Sequence, residues 1–175
     1  VFLETLKLLP SSTQKLQMNE IIIQESIDDN FLLSPNIKEM VLIECNMGVL
    51  SGPISQAILK SKTIEILAIY NSNLTSSLEW NENKSLKRVA FKSCPVDFEW
   101  MSHMVGLRDV LMTEMDLNEA TDKLFDFATN PNQELRWISL LDCEINKNHF
   151  SESFFKWLLG KRINLSFMNY PNNAC

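Results

Sequence analysis

Little in this chain punctuates it: 175 residues contain only four glycines and six prolines, and no Ser/Gly-rich or low-complexity tract separates one part from another. A single domain over residues 1–175 is therefore expected, with no internal linker. Apolar runs stay well short of the roughly 18 residues a membrane-crossing helix needs, so no membrane association is expected. Basic clusters are limited to Lys87-Arg88 and Lys161-Arg162 in a chain of net charge −6. Nucleic acid is thereby disfavoured as a partner, because backbone binding needs several phosphate contacts on one face. The patterns H-E-x-x-H, G-x-S-x-G, C-x-x-C and G-x-x-x-x-G-K are all missing, and neither His103 nor His149 has a ligand-spaced partner. The expectation is a protein that is not an enzyme and holds no cofactor or metal. Glu114-Met115-Asp116 reads as a solvated strand end.

What is present is a recurring apolar phrase. Around Cys45 it runs Ile37, Met40, Leu42, Cys45, Met47, at slots one, four, six, nine and eleven. It returns as Ile64, Leu67, Ile69, Ser72, Leu74, then as Leu86, Val89, Phe91, Cys94, Val96. Leu107, Val110, Met112, Met115, Leu117 and then Leu135, Ile138, Leu140, Cys143, Ile145 continue it. First slots are separated by 27, 22, 21 and 28 residues, within the roughly 20 to 29 of one repeat class. Three of the four cysteines fill the same slot, 49 residues apart each time. They read as buried thiols packing under the turn after each strand. One such repeat cannot bury its own apolar edge, so neighbours must stack.

The segments between phrases are returns. Pro53 to Lys60 reads as a helix with Ile54, Ala57 and Ile58 inward, and Asn118 opens a helix from Glu119 to Ala128 with Leu124, Phe125 and Ala128 on one side. Ser151 to Leu159 reads likewise, while Thr75 to Trp80 and Asp97 to Met104 leave room for a turn or two. Both ends are irregular. Leu165, Phe167 and Tyr170 fit part of a last phrase; at the start, Leu3, Leu6, Leu8 and then Met18, Ile21, Ile23, Ser26 suggest two phrases only 15 residues apart. The opening Val1-Phe2-Leu3 already looks like repeat material, which points to a piece of a longer chain.

Strand alternation sends slots four and six inward and slots three, five and seven outward. Slot seven reads Ile43, Tyr70, Lys92, Thr113, Leu141, Met168, four of the six being large and apolar. Slot five is mostly small but includes Leu111, and slot three adds Ile66 and Trp137. Slot eight supplies a polar, partly acidic border with Glu44, Asn71, Ser93, Glu114, Asp142 and Asn169. An apolar centre with a polar rim is the usual anatomy of a protein interface. The candidate partner-binding residues are Ile43, Glu44, Tyr70, Lys92, Leu111, Trp137, Leu141, Asp142 and Met168. Tyr70 and Trp137 are the expected anchors; Lys92 has Glu114 or Asp142 as alternative ion partners. The acidic border favours a protein partner with a basic patch.

These phrases resemble the leucine-rich repeat superfamily, and within it the intracellular ribonuclease-inhibitor-like branch, well over residues 37–145 and loosely elsewhere. The resemblance implies an α/β solenoid, a right-handed horseshoe with parallel strands on the concave face and helices or short helical turns on the convex face. It also implies protein recognition, as an adaptor gripping a partner in the concave face. The alternative is a scaffold subunit contacting neighbours through its helical outside, with Phe154, Phe155 and Trp157 exposed. No cysteine-rich cap or even-numbered disulfide frame is visible, so a cytoplasmic location is expected. The sequons at Asn73, Asn83 and Asn164 then read as chance triplets.

Overall fold

The computed structural model describes residues 9–22, 33–46, 51–72, 82–145, 152 and 164–168, with side chains left undescribed at 51–53 and 164–168. Seven five-residue strands form one sheet: β1 (Lys15–Asn19), β2 (Glu39–Ile43), β3 (Ile66–Tyr70), β4 (Arg88–Lys92), β5 (Asp109–Thr113), β6 (Trp137–Leu141) and β7 (Asn164–Met168). Every pairing is parallel and joins strands consecutive in the chain. Parallel neighbours cannot be joined by a tight hairpin, so each needs a crossover. Three crossovers contain described helices: α1 (Ser51–Lys60), α2 (Phe98–Ser102) and α3 (Thr121–Thr129). The chain is thus an α/β protein built on an all-parallel sheet.

The ladder register is the register of the phrases. Met40 pairs with Leu67, Leu67 with Val89, Val89 with Val110 and Val110 with Ile138. Slots four and six project to one face, where Leu42, Leu67, Val89 and Met112 are fully buried and join a single cluster with Ile54, Ile58, Leu124 and Phe127 from the helices. The strand entries share their hydrogen bonding too. Both Glu65 N–H and Ile66 N–H donate to Lys38 O, and the next two rungs repeat this one strand on, as does the rung of Arg136 and Trp137.

Slot eight explains how slot nine returns inward. Strict alternation would bury slot eight and expose slot nine. Instead Glu20, Glu44, Asn71, Ser93, Glu114 and Asp142 all have φ between 47° and 53°. That left-handed turn shifts the alternation by one residue, placing slot eight at the surface edge and slot nine in the core. Cys45, Ser72, Cys94, Met115 and Cys143 are all buried. Each described thiol donates to a slot-six carbonyl of the preceding strand: Cys45 Sγ to Met18 O (3.3 Å), Cys94 Sγ to Ile69 O (3.4 Å), Cys143 Sγ to Met112 O (3.5 Å). Ser72 substitutes a hydroxyl, donating to Tyr70 O and accepting from Cys45 N–H. A small polarisable donor is what the slot needs. The three described cysteines are free thiols, and burial pushes Cys94 up from an ordinary 9.0 to about 11, against a weaker opposing effect of its backbone bond to Lys92. Burial likewise raises Cys143.

Four sequence expectations need correction or completion. Met18 fills slot six, not slot one, because Leu16 pairs with Met40 and Met18 with Leu42. The run Ile21-Ile22-Ile23 offers apolar residues at misleading offsets, and with the true register β1 precedes β2 by an ordinary 24 residues. The helix expected from Glu119 begins at Thr121, with no side-chain cap; Thr121 Oγ1 donates to Leu117 O instead. Phe125 does pack, half-buried, against the core cluster as expected, but the deeper ring is Phe127, its centroid 6.0 Å from that of Phe98 on α2. The short return after β4 is the expected turn or two, capped by Asp97 accepting from Glu99 N–H and Trp100 N–H. Leu3, Leu6, Leu8, Met47, Leu74, Thr75 to Trp80, His149 and the helix proposed over 151–159 lie outside the described residues, Glu152 excepted.

Asn83 holds one return in place. It is 1 % exposed. Its Nδ2 donates to the carbonyls of Ile58, Leu59 and Ser61 at the end of α1, and its Oδ1 accepts from Ser85 N–H and Leu86 N–H. A buried amide so engaged offers no nitrogen to a sugar, so this sequon serves the fold. Gly106 fits beside the same turn: a Cβ there would lie 2.5 Å from Lys84 O.

Candidate functional site

The face of the sheet opposite the core cluster brings the candidate residues into three rows. Slot seven aligns Ile43, Tyr70, Lys92, Thr113, Leu141 and Met168 on successive strands. At about 4.8 Å per strand, Ile43 to Leu141 spans roughly 19 Å. Slot five places Leu111 between Ala90 and Ser139, and slot three places Trp137 between Asp109 and Asn164. Ile43, Tyr70, Leu111 and Leu141 are half-buried, and Trp137 is 46 % exposed. Met168 ends β7, and its side chain lies outside the described residues.

This face is less open and more charged than the sequence suggests. Val41, Ala68 and Ser139 are buried although they point away from the core. Short side chains in the central row are shielded by the taller rows on either side. Slot three is mostly charged: Lys15 pairs with Glu39 at 2.7 Å and Arg88 with Asp109 at 3.2 Å. Ile66 and Trp137 stand out in the sequence of this slot, whereas the pairs do not. Their signal was the register itself, which sets opposite charges on adjacent rungs. Lys92 takes Glu114 as its partner at 3.0 Å. That hydrogen bond first, and then one donated by Ser93, hold the Glu114 carboxyl below the usual range against an opposing desolvation.

The strand exits carry carboxylates. Glu20, Glu44, Glu114 and Asp142 occupy slot eight, and Asp116 and Glu144, bridged to each other, follow at slot ten. All except half-buried Asp142 are exposed. Glu20 was not among the sequence candidates, because β1 was out of register. The left-handed backbone accounts for Asn71 and Asp142, since Asn and Asp tolerate it best. It does not account for the glutamates.

Among the described residues no group of three or more His, Cys, Asp or Glu is placed to hold a metal ion, and no helix is long and apolar enough to cross a membrane. On the helical side a groove of about 550 Å³ runs between α2 and α3, lined by Val96, Asp97, Phe98, Lys123, Asp126 and Phe127 among others. The sequence matches no protein-family model, and a comparison with curated proteins returns no relative.

Proposed function

We propose that this chain is a divergent leucine-rich repeat solenoid, and that it is a non-enzymatic module binding a partner protein through the concave face of its sheet, the one turned away from the described helices. One observation carries the reading: Tyr70, Leu111, Trp137 and Leu141 stand partly exposed on that face, while slots four and six are sealed. Exposed aromatics beside apolar rows, bordered by charge, are what an interface uses as anchors and rim. Free thiols buried at slot nine suit a reducing compartment, so a cytoplasmic setting belongs to the same proposal.

The test is co-purification of the endogenous partner with the tagged chain. Tyr70→Ala combined with Trp137→Ala is expected to abolish capture while leaving the thermal midpoint unchanged. Capture that survives the pair contradicts the assignment. The groove between α2 and α3 favours a second reading, a scaffold subunit held through its helical outside. Crosslinks mapping to Lys123 rather than to Lys92 would select it. The residues first expected there, Phe154, Phe155 and Trp157, lie outside the described residues.

A further inference from the structure

Resting on that reading of the sheet face, we infer that its occupant is a lysine- or arginine-bearing amphipathic segment of the partner, lying across the strands with its apolar side on slots five and seven and its cations along the strand exits. The placement follows from adjacency. Ile43, Tyr70 and Leu141 at slot seven are each followed directly by Glu44, Asn71 and Asp142 at the outward left-handed turn. A side chain seated over the apolar row therefore has a carboxylate or amide beside it at every occupied rung.

Charge complementarity sets the sign of the occupant. Six carboxylates, Glu20, Glu44, Glu114, Asp116, Asp142 and Glu144, line the exits. On the same face the charges of slot three are arranged in opposite-sign pairs, Lys15 with Glu39 and Arg88 with Asp109. Lys92 offsets one exit carboxylate, Glu114; Glu20, Glu44, Asp116 and Glu144 alone then leave the edge with a negative excess among the described residues. Backbone preference does not explain that excess, because the left-handed turn favours Asn or Asp and three of its six positions hold glutamate. A like-charged segment would be repelled along the whole row.

The experiment uses the 175-residue chain and two labelled peptides of about ten residues, alternating Leu-Lys or Leu-Glu so that one side is apolar when extended. Fluorescence anisotropy is expected to show binding of the Leu-Lys peptide alone, tightening as salt is lowered. Glu20→Gln, Glu44→Gln and Asp142→Asn together should weaken it about tenfold, and Tyr70→Ala with Leu141→Ala should abolish it. Equal binding of the Leu-Glu peptide, or no loss on neutralisation, overturns the basic occupant. The sheet-face reading then stands if Tyr70→Ala with Leu141→Ala still abolishes binding. Leu-Lys binding that survives the apolar pair overturns the sheet-face reading itself. Binding of neither peptide overturns the basic occupant, and the co-purification test then decides the face independently.

Discussion

The two faces of the sheet are made from alternate residues of the same five-residue strands, yet they follow different rules. On the core face the residue type repeats with little variation and exposure is near zero: Met40, Leu67, Val89, Val110 and Ile138 at slot four, Leu42, Ile69, Phe91, Met112 and Leu140 at slot six. On the other face the same rungs carry Glu39, Ile66, Arg88, Asp109 and Trp137. Burial constrains the first set because an unfilled rung leaves a cavity. The second set answers only to lateral neighbours and to whatever covers it. Regularity therefore locates the core, and irregularity locates the face that burial leaves free to vary.

Several substitutions should separate the faces. Leu67→Ala, at a fully buried rung, should cost about 3 kcal/mol in urea unfolding while leaving partner capture per folded molecule unchanged. A loss of capture without a loss of stability would mean the core face is reached by the partner. Asn83→Ala strands the carbonyls at the end of α1 and two backbone N–H groups, and should cost about 2 kcal/mol. An effect near zero would show that water replaces the amide.

The thiol ladder gives a pH signature. Cys94 binds its proton more tightly folded than unfolded, so its contribution is intact below pH 9.0 and is lost as pH rises through about 11. The chain should therefore lose more stability between those values than Cys94→Ala does. Parallel curves would contradict the burial of the thiol. The smallest effect belongs to the exits. Glu44→Asn relieves a left-handed glutamate and should raise stability by about 0.5 kcal/mol, while weakening binding of a basic segment. A gain in both would remove the functional reason for the glutamate.

From β2 to β6 the strands could be read in advance, because the apolar template and the ladder express one physical requirement, filling a rung of fixed height. The misreading of β1 has an equally physical origin. Three consecutive isoleucines satisfy the template at the wrong offset, and only pairing with β2 distinguishes Leu16 and Met18 as the inward pair. The helix over Thr121–Thr129 was visible from its apolar spacing, but recognising Phe127 as a deeper ring than Phe125 needed the position of Phe98. At the candidate site the rows were legible and their exposure was not. Shielding of Ala68 and Ser139, and the pairing of Arg88 with Asp109, depend on neighbours distant in sequence. Asn83 is the sharpest case: its triplet suggests a surface loop, whereas its six polar contacts make it part of the interior.

Hydroxyl-radical footprinting of the chain, alone and with its co-purified partner, addresses the two-face account most directly. Free in solution, Trp137 and Tyr70 should label readily, and Phe91, Met112 and Trp100 should stay silent. Adding the partner should protect Trp137, Tyr70 and Leu141 while leaving half-buried Phe125 on α3 unchanged. Protection of Phe125 with continued labelling of Trp137 and Tyr70 would contradict the account and move the interface to the helices.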